Sequence, residues 1–218
     1  MTKEPSFQLF DREAARYDAW FDSDRGQALF ASELICLRQL TADLPRPWLE
    51  VGVGTGRFAE ALGVDVGVDP AVGAIQHAAR RGVKALPALG QALPFEDGEF
   101  GTAFVIVTLC FAEDPLGLLF ETRRVVAKPG GVVLGIVPAE SPWGHFYSEK
   151  AASGHVFYSR ARFYTLAQLG SLIRSASLRI ERAASTLFQA PDCECFEVES
   201  ARDGLHEAAG FAALLCRR

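Results

Sequence analysis

Pro47-Trp48-Leu49-Glu50-Val51-Gly52-Val53-Gly54-Thr55-Gly56-Arg57-Phe58-Ala59 is the stretch that decides the fold of this chain. A short apolar run closes on an acid, three glycines follow at alternate positions, and Arg57-Phe58-Ala59-Glu60-Ala61-Leu62 then begins a helix. The order is strand, tight loop and helix start. Glycine takes positive φ without a Cβ clash and lets backbone pass close to a bound molecule, so three glycines in five positions imply a loop that touches a ligand. The free N–H groups that open the following helix suit oxygen atoms of that ligand. A dinucleotide fingerprint places its third glycine where Arg57 stands. An arginine there obstructs the close helix packing that glycine serves, which disfavours a pyrophosphate.

The acid-x-Gly-x-Gly-x-Gly pattern of Glu50, Gly52, Gly54 and Gly56 resembles the first motif of class I S-adenosylmethionine-dependent methyltransferases. The methionyl part of that cofactor is a zwitterion. An acid at the strand end suits its ammonium, directly or through water, and loop N–H groups suit its carboxylate. Further along, Val64-Asp65-Val66-Gly67-Val68-Asp69-Pro70 is an apolar run closed by an acid 19 residues past Glu50. Strand-end carboxylates that accept from ribose hydroxyls occupy this place in open α/β sheets, which makes Asp69 the expected ribose ligand, while Pro70 opens the next helix. The plainer role for Asp69 is a helix cap.

The resemblance extends over about 90 residues. Ala88-Leu89-Gly90-Gln91-Ala92-Leu93-Pro94-Phe95 is similar to the family's adenine-contacting stretch and its Leu-Pro-Phe turn, which implies that Leu89 and Gly90 border the base. Leu89 stands where an aspartate often takes the adenine amino group, leaving the Gly90 N–H as the polar contact. Gly101 likewise replaces the usual strand-entry aspartate. The continuous apolar run 103–107 reads as a central parallel strand ending at Thr108, where such sheets bind ligands. Lys128-Pro129-Gly130-Gly131 then resembles the family's turn into strand five. Upstream, Phe10-Asp11-x-x-Ala14-x-x-Tyr17-Asp18 is similar to the N-terminal helix of the ubiquinone-biosynthesis-like group. There it closes over the cofactor, and Tyr17 becomes a candidate contact to the methionyl carboxylate; otherwise Tyr17 and Trp20 are helix-packing aromatics.

The implied fold is α/β, a three-layer Rossmann-like arrangement with a seven-stranded, mostly parallel sheet. Its antiparallel last strand, from the run 210–216, is inserted beside strand five. Two N-terminal helices precede the sheet, the second capped from Asp22-Ser23-Asp24, and a lid follows strand five. One domain over 1–218 is expected, with a helical cap at 1–46, a cofactor-binding half at 47–140 and a lid and substrate-side half at 141–218.

The chain has 218 residues, 49% hydrophobic and 22% charged, enough for one sizeable core. A net charge of −5 and the lack of long lysine or arginine blocks oppose nucleic-acid binding. Met1-Thr2-Lys3-Glu4-Pro5 carries no apolar signal core and no window approaches a membrane span, so a cytoplasmic location with no membrane partner is expected. The oligomeric state is left open. Five cysteines without a C-x-x-C pair imply reduced thiols. Cys193 and Cys195, at alternate positions, could face a soft metal if they lie on a strand, but the other ligands zinc needs are missing, and no metal is expected.

The segment 141–160 concentrates aromatic and imidazole groups directly after strand five: Trp143, His145, Phe146, Tyr147, His155, Phe157 and Tyr158. In the resembled fold this connection overlies the methyl donor and recognises the acceptor. Trp143, Tyr147 and Tyr158 are therefore expected substrate contacts, and His145 or His155 a candidate base; alternatively, these aromatics only pack on the sheet. The expected function is methyl transfer from S-adenosylmethionine to an unidentified small acceptor. Two rivals stand beside it. One is a cofactor-binding protein without transferase activity, which Leu89 and Gly101 keep open. The other is a NAD-dependent oxidoreductase, opposed by Arg57 and by the long segment before the first strand.

Overall fold

Five parallel strands carry the cofactor-side half of the sheet in the computed structural model, which describes residues 4–218. The first three residues of the expected cap, and of the N-terminal stretch that carried the reading of location, lie outside the described residues. The five strands are β1 (Trp48–Val51), β2 (Val66–Asp69), β3 (Ala85–Pro87), β4 (Phe100–Ile106) and β5 (Val126–Ile136). Three more follow: β6 (Arg179–Thr186), β7 (Arg202–Asp203) and β8 (Phe211–Arg217). The order is β3-β2-β1-β4-β5-β8-β6-β7, with β8 antiparallel to both β5 and β6. Seven strands thus take the expected order, with the last strand inserted beside the fifth. The eighth is β7, a two-residue edge strand within the segment read from sequence as an excursion.

Strands β1 and β4 are buried along their whole length, which is why they read as unbroken apolar runs rather than alternating ones. Both faces of the sheet are covered. On one, α6 (Pro115–Val125) and α8 (Leu166–Ser175) pack Leu118, Leu119, Leu169 and Ile173 against Leu49, Val105 and Leu134. On the other, α3 (Asp24–Thr41), α4 (Arg57–Leu62) and α5 (Val72–Arg80) bring Leu37, Leu40, Phe58 and Ala78 onto Phe104 and Val133.

Among the described residues three helices, not two, precede the sheet. The first expected helix is split at Glu13, whose backbone (φ −104°, ψ 16°) separates α1 (Ser6–Arg12) from α2 (Ala14–Trp20). The cap read at 22–24 holds: Ser23 accepts from the Gly26 N–H at 3.0 Å. The region after β5 is also more regular than a loop. Ser141 accepts from the Gly144 N–H and Pro142 occupies the first turn, giving α7 (Pro142–Ala152). Trp143, Phe146 and Tyr147 recur at helical spacing, a periodicity masked in the sequence by the density of aromatic residues.

Gly101 has a steric reason. A Cβ there would lie 2.3 Å from the Pro45 carbonyl oxygen, so the residue usual at this strand entry has no room in this chain. Gly101→Ala should therefore lower stability by about 1–3 kcal/mol, the range for forcing atoms into a packed site. Urea unfolding would show it, and an unchanged midpoint would mean that the 45–47 segment yields freely.

Candidate functional site

The carboxyl ends of β1, β2 and β4 open into a cleft bordered by Val51, Gly52, Gly54, Asp69, Leu89 and Thr108 and roofed by Phe10, Ala14 and Tyr17. The cleft encloses about 130 Å³ and continues into open space at its mouth. Its position at the strand ends is where open α/β sheets place ligands.

The three loop glycines have three different reasons. All take positive φ: +80° at Gly52, +52° at Gly54 and +84° at Gly56. A Cβ on Gly52 would meet the Thr108 side chain at 2.2 Å, and one on Gly56 would meet the Ala78 Cβ at 2.8 Å, where α4 passes α5. Nothing stands within 4 Å of a Cβ on Gly54, which borders the open cleft. The loop's own donors are largely committed. Gly52 and Val53 N–H donate to the Val68 carbonyl, Gly56 N–H to the Val53 carbonyl, and Gly54 N–H to Asp69 Oδ2.

Two carboxyls dominate the electrostatics. Glu50, 1% exposed, leaves Oε2 buried without a partner. Burial pushes its acidity well down, raising the pKa, and the charge of Asp69 adds to the rise. Asp69 accepts from Gly54 N–H at 2.9 Å and Ala71 N–H at 2.8 Å; burial raises its pKa, and these two donors partly offset the rise. No lysine or arginine is among the described residues lining the cleft. A buried carboxylate without a counter-charge favours a cationic guest.

The roof is fastened by charge. Arg57 donates from Nε to Asp18 Oδ1 at 2.8 Å and from a terminal nitrogen to Asp18 Oδ2 at 3.1 Å, and it reaches Asp22 at 2.7 Å. Arg81 donates to Asp18 Oδ2 at 2.9 Å and to the Thr55 carbonyl at 3.1 Å. Asp11 accepts from Gly73 N–H at 2.6 Å, at the start of α5. The arginine that breaks the dinucleotide fingerprint thus ties α2 to the helix that follows the glycine loop. Beneath it, the Tyr17 ring meets Phe10, Phe21 and Phe157 edge-on, with centroids 5.4–5.6 Å apart.

Of the expected site residues, Tyr17, Gly52, Gly54, Asp69, Pro70, Leu89, Gly90 and Thr108 line the cleft. Glu50 and Gly56 lie behind it. Trp143 is corrected to a core residue: it is 1% exposed, its indole N–H donates to the Gln189 carbonyl at 2.9 Å, and its ring fills the space beside Gly210. His145 is exposed on α7 and is not part of the cleft lining. His155 stacks on Tyr158 (centroids 4.5 Å apart), and burial, then Lys150 and Arg16, lower its pKa. Tyr147 also stacks on Tyr158, with centroids 4.4 Å apart. Cys193 and Cys195 are free and lie in a loop rather than on a strand, with Cys193 Sγ donating to the Cys195 carbonyl.

Other lining groups were not singled out from sequence. Gln91, two residues past Leu89, offers an amide beside the leucine that replaces an acid, and its place in the adenine-type stretch was the available signal. Val107 turns the chain out of β4 at φ +49°, a left-handed conformation that no sequence signal marks in a β-branched residue.

This sheet order, with a glycine loop after β1, an acid closing β2 and an inserted antiparallel last strand, defines the class I methyltransferase fold. The comparisons agree. Residues 49–135 match the Methyltransferase domain family. A solved structure from Thermotoga maritima, described as a SAM-dependent methyltransferase and possible histamine N-methyltransferase, is 34% identical with a TM-score of 0.88, covering 97% of this chain and 99% of that one. An uncharacterised Mycobacterium tuberculosis protein is 43% identical over 98% of this chain and 75% of its own length, and one from Methanocaldococcus jannaschii is 33% identical over 94% and 97%. The chain belongs to the S-adenosylmethionine-dependent methyltransferases, and S-adenosylmethionine is its cofactor. The cleft fits that cationic molecule in two respects: the unpartnered Glu50 oxygen behind the glycine loop and the open space at Gly54.

The Asp18 clamp gives a pH signature. Burial opposes ionisation of Asp18, but Arg57 and Arg81 outweigh it and hold the pKa at about 2. A depressed folded-state pKa contributes stability above the unfolded value of about 4 that is lost as pH falls toward 2. Asp18→Asn should cost about 1–2 kcal/mol at neutral pH, discounted for the cluster's partial exposure, and the gap to wild type should close between about pH 4 and pH 2. Chemical denaturation across that range would measure it, and a gap that persists at pH 2 would assign the loss to packing.

Proposed function

We propose that Asp69 accepts from the ribose hydroxyls of the bound cofactor, that Glu50 holds the methionyl ammonium and that the Tyr17 hydroxyl meets the methionyl carboxylate. Leu89 and Gly90, with Gln91, border the adenine. Gly52, Gly54 and Gly56 set the backbone approach, while Pro70 and Thr108 shape the two strand ends. When bound, the cofactor supplies a methyl group on a sulfonium, an already good leaving group. The protein's share is then to hold an acceptor in line and keep water out. Phe10, Tyr17 and Phe157 supply the apolar cover. The observation that carries this reading is the pair of cation-free carboxyls at the ends of β1 and β2, Asp69 lining the cleft and Glu50 buried behind it.

The acceptor is a small molecule that enters from the side of Tyr147 and Tyr158, and nucleic acid is not a partner. The chain is one cytoplasmic methyltransferase domain, with residues 1–46 as cap, 47–140 as cofactor half and 141–218 as lid and substrate half. Among the described residues no helix is long and apolar enough to cross a membrane. His155 is the histidine retained as proton acceptor, for acceptors that arrive protonated; His145 is not.

Calorimetry tests the assignment. S-adenosylhomocysteine should bind and NAD should not, and Asp69→Ala should lose roughly 1–3 kcal/mol of binding, the scale of charge-assisted hydrogen bonds. Gly54→Ala should cost about 1–2 kcal/mol of stability for its left-handed backbone, and it should weaken S-adenosylhomocysteine because the new methyl enters the cleft. Tight NAD binding, or cofactor affinity indifferent to both substitutions, would overturn the assignment.

A further inference from the structure

A second depression lies at the edge of the sheet opposite the cofactor cleft. Because β8 runs antiparallel to β5, its end meets the start of β5: Val132 pairs with Cys216, and Arg179 at the start of β6 pairs with Arg217. The depression there holds about 540 Å³ and is lined by Arg123 of α6, Lys128 of β5, Arg179 of β6, Arg217 of β8 and Arg218. Glu181 is the one carboxylate side chain among the described residues of that lining, and Arg217 Nε claims it at 2.9 Å.

Five cations at one depression run against the net charge of the whole chain, which is −5. They do not form a basic run in the sequence; the sheet brings them together from separate elements. Two of them are structural. Arg217 donates to the Pro129 and Gly130 carbonyls and Arg218 to the Arg123 and Val126 carbonyls, which pins the end of β8 to β5 and to the end of α6. The other three are uncommitted. Lys128 and Arg179 are exposed, with no hydrogen bond or ion pair among the described residues. Arg123 is half-buried, and its Nε is enclosed without an acceptor. An enclosed guanidinium donor lacking an acceptor is costly, and like charges held together repel, so an anion stabilises this wall.

We propose that the depression is a second ligand site, for a molecule with two or three linked phosphates. Guanidinium groups match phosphate oxygens through their fixed fork of donors, and Lys128 adds a point charge. The space is far larger than one phosphate, and the uncommitted cations stand on α6, β5 and β6 around it. A phosphate chain, charged at every unit, meets several of them at once. The Arg217 and Arg218 bonds hold these walls in place before the ligand arrives. The site is separate from the cofactor cleft and independent of how that cleft holds its ligand.

The test is calorimetric titration with sodium tripolyphosphate at fixed ionic strength, on protein saturated with S-adenosylhomocysteine, with inorganic phosphate and citrate as matches. Tripolyphosphate should bind about tenfold or more tightly than either. Arg123→Gln should weaken it by about tenfold, the scale of one charge-assisted hydrogen bond, and leave S-adenosylhomocysteine affinity unchanged. Lys128→Gln with Arg179→Gln, both at exposed positions, should do the same if Arg123→Gln fails to fold. Arg80→Gln, which removes an exposed cation of α5, should change nothing. Adenosine triphosphate titrated alongside separates the two sources of such a group: tighter binding than tripolyphosphate supports a nucleotide, weaker binding a free phosphate chain. No tripolyphosphate binding to a protein that binds S-adenosylhomocysteine, equal affinity for citrate, an equal loss in Arg80→Gln, or binding of a single-stranded oligonucleotide in place of tripolyphosphate would overturn the proposal.

Discussion

A pair of carboxyls without a counter-cation, buried at the ends of β1 and β2, is the constraint around which this protein is arranged. Glu50 is locked between Gly67 of β2 and Phe104 of β4, so its carboxyl cannot swing out to water. Asp69 is held by two backbone donors but gains no cation from the chain. The charge of Asp69 raises the cost of ionising Glu50 further. A guest carrying positive charge relieves both, and S-adenosylmethionine carries it on its sulfonium and its ammonium.

The cover over this site depends on a second charge cluster with opposite logic. Asp18 is fully paired, by Arg57 and Arg81, and this joins α2 to α4 and α5. The glycine loop and the roof are therefore coupled mechanically: α4 follows the loop directly, and the arginine that starts α4 holds the roof. Gly56 contributes by letting α4 pass close to Ala78, so the third glycine still serves helix packing although it stands one position earlier than in a dinucleotide site. An arginine that excludes one ligand class at the sequence level thus has a positive structural role.

The segment after β5 follows another principle. Aromatic residues in 141–160 sort into two sets that sequence spacing does not separate. Trp143 faces inward on α7 and completes the core with Phe196 and Gly210, while Tyr147 stacks with Tyr158 and Phe163. The fold supplies a rigid hydrophobic back wall and leaves polar edges where chemistry is required.

Much of this was legible in the residues alone, because the signals are local. An apolar run closed by an acid, glycines that need positive φ, and turn residues at set offsets all act over a few neighbours, so the strands, the loop and the cleft positions of Gly54 and Asp69 could be read from sequence, while the order of strands followed from the family those motifs resemble. The Ser23 cap is of the same kind. The rest depended on residues far apart in the chain. Trp143 and Tyr147 look alike until the direction of α7 sends one into the core. The left-handed Val107 and the tight passage of Gly101 past Pro45 are imposed by neighbouring backbone. Local propensity determined which elements form and where a ligand loop lies; tertiary packing decided which side chains are deprived of water and of partners, and that deprivation makes a site.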